Sequence, residues 1–313
     1  MNRPTPLVRL LRRRAFALRR HLSAAVAGKD AGVHQARVAS RRLREALPVL
    51  TEGLHHTRQS KAQRKIRRLT QALGTVRELD VTLSLIDELA DRPGVPRPAL
   101  TQVRAQVIEE REERRAVMLE RVGRVNIEKL NRRLNEVATA LANPTPGHAW
   151  RAALALRIVR RARRLEKAID QAGQIYAPEA LHDVRITAKK LRYAVEIADE
   201  SGAAPCAETL RTIKRVQDIL GRLHDLQVLQ HYVADVGASP RSRRGTPDAA
   251  LATLSRLIED ECRQLHGRYV AAIPQLREAA ESARRDVPAR LTARRRSAKM
   301  TLPARRRAAS ARG

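Results

Sequence analysis

Two short stretches of the chain combine a histidine with closely spaced cations. The first consists of His34, Arg37, Arg41, Arg42 and Arg44, and the second of His182, Arg185, Lys189, Lys190, Arg192 and Tyr193. The arginine guanidinium donates two parallel hydrogen bonds to an oxyanion, and lysine acts as a point charge. A neutral imidazole can donate one hydrogen bond, or it can take up a proton when an anion approaches. These residue types at this spacing predict anion binding.

Placed on a helix, the cations of each stretch share one face. With His34 at 0° and 100° per residue, Arg37, Arg41 and Arg44 fall within an arc of about 80°. In the second stretch His182, Arg185, Lys189 and Arg192 occupy the same arc, which Tyr193 joins, and in both stretches aliphatic residues lie opposite. A basic helix face is commonly only a solvated one, but solvated faces usually carry interspersed glutamates. This face lacks them and appears twice in the same register, which favours a binding surface.

The similarity between the two stretches extends well beyond them. At an offset of 148 residues, Leu10–Arg13 also matches Ile158–Arg161. At an offset of 147, Ile66–Leu69 matches Ile213–Val216, and Leu73-Gly74 matches Leu220-Gly221. A single deletion over so long a stretch is typical of an internal duplication. We therefore predict one repeat over about residues 5–143 and another over about 148–287, separated by the Pro- and Gly-rich segment 143–147.

Each repeat predicts helices and no strand, so the fold class is all-α. Aromatic residues make up only 2% of the chain, and Leu, Ala and Val must form the core. In the first repeat, helices are predicted at about 6–27, 31–51, 58–73, 76–90 and 99–122, followed by another helix that ends at about 142. In the second repeat they are predicted at about 148–173, 178–200, 205–220, 223–236 and 248–284. Gly74 and Gly221 are predicted to end the third helix of each repeat as C′ residues.

The third helix of each repeat adds further basic residues, namely Arg67, Arg68, Lys214 and Arg215. Ligand contact and simple solvation are equal alternatives for each of them. Acidic residues follow shortly afterwards in both repeats, including Glu78, Asp80 and Asp225. Their carboxylates would hold neighbouring arginines in place, a role that we favour over catalysis.

The charge balance predicts an anionic partner. The chain has 63 Lys and Arg against 33 Asp and Glu, a formal net charge of +30. Nucleic acid, an anionic membrane or polyphosphate could each relieve the self-repulsion that this surplus creates. Eleven Lys or Arg against one Asp between Arg284 and Gly313 supply +10 of that charge. Residues 288–313 are predicted to be a basic, disordered tail.

Several other classes of protein are disfavoured. No apolar run reaches transmembrane length, and no signal-peptide core follows the basic N-terminus, so we expect a cytoplasmic protein without a membrane partner. Cys206 and Cys262 form neither a metal-ligand nor a disulfide pattern. His55-His56 and the pair His224/His231 do not supply the histidine spacing of a metal site. We expect no cofactor, no metal, no catalytic residues and therefore no enzyme.

Both repeats resemble the CHAD family, the conserved histidine α-helical domain. The resemblance rests on residues 33–44 and 181–193, and on the elements Leu73–Asp80 and Leu220–Gln227, with Glu78 where the family usually has Asp. It covers roughly residues 5–285, so residues 1–287 are assigned to one CHAD domain. It implies two four-helix bundles related by a pseudo-twofold axis, with a central basic pore or groove between them.

The resemblance also implies binding of inorganic polyphosphate and association with polyphosphate granules. The fifteen basic, histidine and tyrosine residues named above as site candidates would then line the polyphosphate site. The alternative is a nonspecific nucleic-acid-binding protein that uses the same basic surface and the Arg-rich tail. Against it stand the scarcity of aromatic residues for base stacking and the absence of a recognisable reading motif. The sequence leaves the oligomeric state open.

Overall fold

The protein is built from α-helices throughout the part of the chain that the structure, a computed structural model, describes: residues 5–52, 54, 56–74, 76–142, 149–238 and 248–293. In chain order the helices are α1 (Pro6–Val26), α2 (Asp30–Leu50), α3 (His56–Ala72), α4 (Arg77–Ala90), α5 (Arg97–Gly123), α6 (Ile127–Ala142), α7 (Ala149–Ala172), α8 (Pro178–Glu200), α9 (Ala207–Ala238) and α10 (Asp248–Thr292). The predicted all-α fold class is confirmed.

The helices form two bundles of four. In the N-terminal half, α1 packs on α2 and α6, and α3 packs on the same two helices. In the C-terminal half, α7, α8, α9 and α10 close a ring in the same way. The remaining pair, α4 and α5, packs against α9 of the other half, and α2 also contacts α8. The duplication of the sequence itself stays a prediction.

Aliphatic side chains fill both bundles and fix the orientation of the basic faces. On α2, Ala36, Leu43 and Leu47 are fully buried, and on α8 the same is true of Ala188 and Leu191. Burial of the apolar side of each helix is worth about 1.5–3 kcal/mol for each large side chain. It therefore turns the opposite, cationic side of α2 and α8 away from the bundle cores.

Of the two helix ends predicted at glycines, one is wrong. Gly221 does not end a helix, because α9 runs without a break from Ala207 to Ala238. An interior glycine costs about 1 kcal/mol, and the buried Leu220 and Leu223 on either side of it offset that cost. In the first half α3 does end beside Gly74, whose backbone N–H donates to the Gln71 carbonyl at 3.0 Å.

The last helix is longer than predicted. α10 passes through Pro274 and Pro288 and ends at Thr292, instead of ending near residue 284. Val287 and Leu291 are buried, so the apolar seam of the bundle continues past the second proline and holds the helix together. The remainder of the predicted tail, residues 294–313, and the predicted boundary at 143–147 lie outside the described residues.

Candidate functional site

The cationic faces of the two halves meet between α2 and α8. Arg37 and Arg41 come from α2, Arg185 and Lys189 come from α8, and all four are partly buried. Burial and then the neighbouring Arg185, Arg41 and Arg37 lower the pKa of Lys189 to about 7. Cations from both halves therefore lie within electrostatic reach of one amine.

A fifth cation completes this group. Arg77, at the start of α4, acts on Arg37, whose pKa is lowered to about 10 by burial, by Arg41 and by Arg77. We refer to Arg37, Arg41, Arg77, Arg185 and Lys189 as the cationic cluster. Sequence reasoning had not selected Arg77 as a site residue, because only the packing of α4 against α9 and α2 brings it here.

Tyr193 links the two basic helices beside the cluster. The Arg41 guanidinium lies over its ring, 5.6 Å from the centroid, and the Arg192 guanidinium lies 5.3 Å from the same centroid. The ring is only 7% exposed, so water screens these cation–π contacts little. Such contacts are worth about 0.5–2 kcal/mol each, and they hold both guanidinium groups near the cluster.

Both predicted histidines border the cluster. Burial, followed by the charges of Arg77 and Arg37, lowers the pKa of His34. Burial, followed by His224 and Arg185, lowers the pKa of His182. The centroids of the His182 and His224 rings are 5.1 Å apart. In the free protein, therefore, the neutral forms of His34 and His182 are favoured more than in an isolated imidazole.

The acidic residues near the cluster are held by other partners. The pKa of Glu78 is lowered first by His224, whose Nε2 lies 3.6 Å from Glu78 Oε1. Asp80 accepts a hydrogen bond from Arg111 at 2.8 Å. Burial raises the pKa of Asp225 despite the nearby charge of Arg185. These carboxylates reduce the positive charge of the cluster only in part.

Several polar atoms beside the cluster are buried without a hydrogen-bond partner. They include Nδ1 of His34, Nε of Arg37 and Nε of Arg192. A buried donor without a partner costs about 1–3 kcal/mol. Because the same volume holds an excess of cations, an anionic ligand would satisfy both the hydrogen bonds and the charge.

The chain is similar to known proteins in both sequence and fold. Residues 9–234 match the CHAD domain family, most of the 313-residue chain. The protein belongs to the CHAD family. The fold resembles a crystal structure of the CHAD domain from the plant Ricinus communis, with a TM-score of 0.59, 21% identity, and coverage of 88% of this chain and 91% of that one.

A second structure shows the same likeness. PptA from Streptomyces chartreusis aligns with a TM-score of 0.59 and 19% identity over 90% of this chain and 100% of that one. At such identities the likeness concerns the fold. A search of curated proteins gave no match.

The structure does not bring every predicted site residue of this CHAD domain into the cluster. Arg67 and Arg68 are exposed on α3, and Arg68 lies near Lys65, which faces Lys129 and Arg133 of α6. Lys214 and Arg215 are exposed on α9 and line a groove of about 670 Å³ against α10. For these four residues, solvation accounts for the positions observed.

Three other predicted residues lie at the edges of the basic faces. Arg42 is exposed and pairs with Glu196 at 3.7 Å. Arg44 pairs with the adjacent Glu45 at 3.4 Å. The side chain of Lys190 is exposed. They extend the positive surface beyond the cluster without joining it.

Two ion-pair groups join the halves of the CHAD domain on either side of the cluster. Arg14, which is only 4% exposed, donates to Glu200 of the other half at 3.0 Å and to the Arg42 carbonyl at 2.7 Å. In the same manner Arg161 donates to Glu45 of the other half at 2.6 Å and to the Lys190 carbonyl at 2.5 Å. These contacts fix the positions of α2 and α8 relative to each other.

Two further observations bear on the chemistry of the domain. Among the described residues, no group of three or more His, Cys, Asp and Glu is arranged to hold a metal ion. In the same part of the chain, no helix is long and apolar enough to cross a membrane.

Proposed function

We propose that this CHAD protein binds inorganic polyphosphate in the cationic cluster between its two halves. The observation that carries the proposal is the convergence of five partly buried cations, one of which, Lys189, has its pKa lowered to about 7. Mutual repulsion among them is a cost to the free protein that a polyanion removes. The family resemblance implies the same ligand.

The shape of the site favours a single phosphate chain over a nucleic acid. The cluster lies between α2 and α8, which contact each other, so a narrow, flexible chain is a better fit than a duplex. Polyphosphate carries about one negative charge per phosphate and no bases, so it requires only closely spaced donors such as guanidinium and ammonium groups. Tyr193, the aromatic residue beside the cluster, is occupied by Arg41 and Arg192, so the cluster itself offers no stacking surface.

The test is a titration of the full chain with polyphosphate of defined length. In one variant Arg37, Arg41, Arg185 and Lys189 are changed to glutamine. In the matched control the exposed Arg67, Arg68, Lys214 and Arg215 are changed to glutamine, which removes the same charge. We expect the first variant to lose at least about a hundredfold in affinity and the control to lose far less.

A chain shortened after Ala293 is the third arm of this experiment. If the shortened chain no longer binds polyphosphate while the cluster variant still binds it, the proposed site is wrong. Competition with duplex DNA separates the nucleic-acid alternative: polyphosphate should displace DNA at a far lower phosphate concentration than DNA displaces polyphosphate.

We further propose that the protein holds polyphosphate without hydrolysing it, and that it associates with polyphosphate granules in the cytoplasm. Release of inorganic phosphate from polyphosphate should stay at the level of the protein-free control. A fluorescent fusion should coincide with stained granules, whereas the cluster variant should be diffuse. Release that depends on the cluster would contradict the first statement, and equal localisation of both proteins would contradict the second.

A further inference from the structure

A cavity of different chemical character lies beside the cationic cluster. Its volume is about 650 Å³, within the range of small-molecule pockets. Pro178, Val228, Ile258 and Cys262 form its apolar walls, and Tyr176 contributes an aromatic ring. These apolar walls offer no hydrogen-bond donor to an inorganic phosphate chain, and Arg263, the one arginine of the lining, is paired with Glu259 and Asp260.

His224 connects the cavity to the edge of the cluster. His224 lines the cavity, and its ring centroid is 5.1 Å from that of His182, which borders the cluster. A ligand that fills the cavity and carries a phosphate tail past His224 would therefore bring that tail to His182 and Arg185. The cavity fits the organic end of a molecule whose other end is a short polyphosphate.

The polar groups of the cavity suit a nucleoside. The Tyr176 ring is held in place by Gln227, whose Nε2 donates to the phenol oxygen at 3.1 Å, and by an edge-on contact with His266 at 5.3 Å. Glu259 and Gln230 also line the cavity, and Gln230 Nε2 donates to Glu259 Oε1 at 3.4 Å. The Glu259 carboxylate can accept hydrogen bonds from ribose hydroxyls or from an exocyclic amino group, but it would repel a phosphate.

We infer that this cavity binds the nucleoside of a nucleoside polyphosphate, with the phosphates in the cationic cluster. The inference deepens the proposed function and rests on it, because the cluster supplies the phosphate contacts. Stacking of one base on an aromatic ring is worth about 1–3 kcal/mol. ATP should therefore bind about tenfold more tightly than tripolyphosphate, which has the same number of phosphates.

The experiment compares ATP with tripolyphosphate on the full chain and on Val228→Trp, which fills the cavity. Ala234→Trp is the control, since it places the same side chain on an exposed position of α9. We expect Val228→Trp to remove the tenfold advantage of ATP and to leave tripolyphosphate binding unchanged, while Ala234→Trp changes neither. Saturation-transfer NMR should show transfer from the protein to the base protons of ATP in the wild type.

The inference is overturned if ATP binds no more tightly than tripolyphosphate, or if the base protons receive no saturation. Its failure can be told apart from failure of the proposed function. If tripolyphosphate and long-chain polyphosphate bind and ATP shows no advantage, only the cavity assignment falls. If neither inorganic chain binds, the proposed function falls, whatever ATP does.

Discussion

Lys189 makes polyphosphate binding a proton-coupled reaction. In the free protein its pKa is lowered from 10.5 to about 7 by burial and by the neighbouring arginines. A polyanion in the cluster offsets that repulsion and returns the pKa towards its ordinary value. Binding at a pH above 7 must therefore protonate Lys189.

The size of the effect follows from the two pKa values. With a pKa of about 7, roughly nine-tenths of Lys189 is neutral at pH 8, so binding takes up about 0.9 proton there and about 0.1 at pH 6. Between pH 6 and pH 9 the protonated fraction of the free amine falls about ninetyfold, and the affinity should fall with it, by roughly 2.7 kcal/mol.

Calorimetry in two buffers of different ionisation enthalpy, such as Tris and HEPES, measures this uptake. Lys189→Arg keeps the charge at every pH, so it should bind with almost no uptake at pH 8. Lys190→Arg is the matched control, because the Lys190 side chain is exposed, and it should behave as the wild type. Long-chain polyphosphate keeps the contribution of terminal phosphates small, and Lys189→Arg measures what remains. Equal uptake at pH 8 by wild type and Lys189→Arg would refute the reasoning.

Four further predictions concern the cationic cluster, the two histidines beside it and the ion pair between Arg14 and Glu200. Burial and neighbouring positive charges lower the pKa values of His34 and His182, and a bound polyanion should raise them again. Calorimetry should therefore show additional proton uptake as the pH falls from 7 to 6. No additional uptake in the wild type, or the same uptake in a double His→Gln variant, would exclude the histidines. The slope of log affinity against log salt should be about −3 to −4 for five cations, and Arg185→Gln should make it shallower by about 0.7; an unchanged slope would place Arg185 outside the site. The pKa of Lys189 in the folded protein is depressed, so this residue destabilises the protein increasingly as the pH falls from 10.5 to about 7. Lys189→Met should therefore raise the free energy of unfolding, measured in urea at pH 6, by roughly 1–3 kcal/mol. Lys190→Met, the control, should not raise it. Glu200→Gln should lower the free energy of unfolding by about 2–4 kcal/mol, because it leaves the charge of Arg14 buried without a partner. Arg124→Ala, which breaks an exposed ion pair, is the control and should lower it by less than about 0.5 kcal/mol.

The sequence was sufficient for the central part of the site. The register of Arg37 and Arg41 with Arg185 and Lys189, together with aliphatic residues opposite, predicted two basic helix faces, and packing of the bundles turns those faces towards each other. Helix periodicity carries this information because the apolar side of a helix must be buried. The spacing of residues along α2 and α8 was therefore enough to select four of the five cluster cations.

The remaining features depend on contacts between distant helices, which residue spacing does not encode. Arg77 joins the cluster only because α4 packs across the halves. Arg14 belongs to a basic run in the sequence, yet its side chain is 4% exposed and engaged by Glu200. Gly221 has the residue type of a helix end, but the buried leucines beside it decide the outcome.

The reciprocal ion pairs have a consequence for the history of the chain. Each half supplies a carboxylate, Glu45 or Glu200, to a guanidinium of the other, so neither half expressed alone could neutralise its own partly buried arginine. If the repeat arose by duplication, its single-copy ancestor would have needed a second molecule in the same place and would have worked as a symmetric dimer. Joining the two copies in one polypeptide would then have made assembly independent of protein concentration.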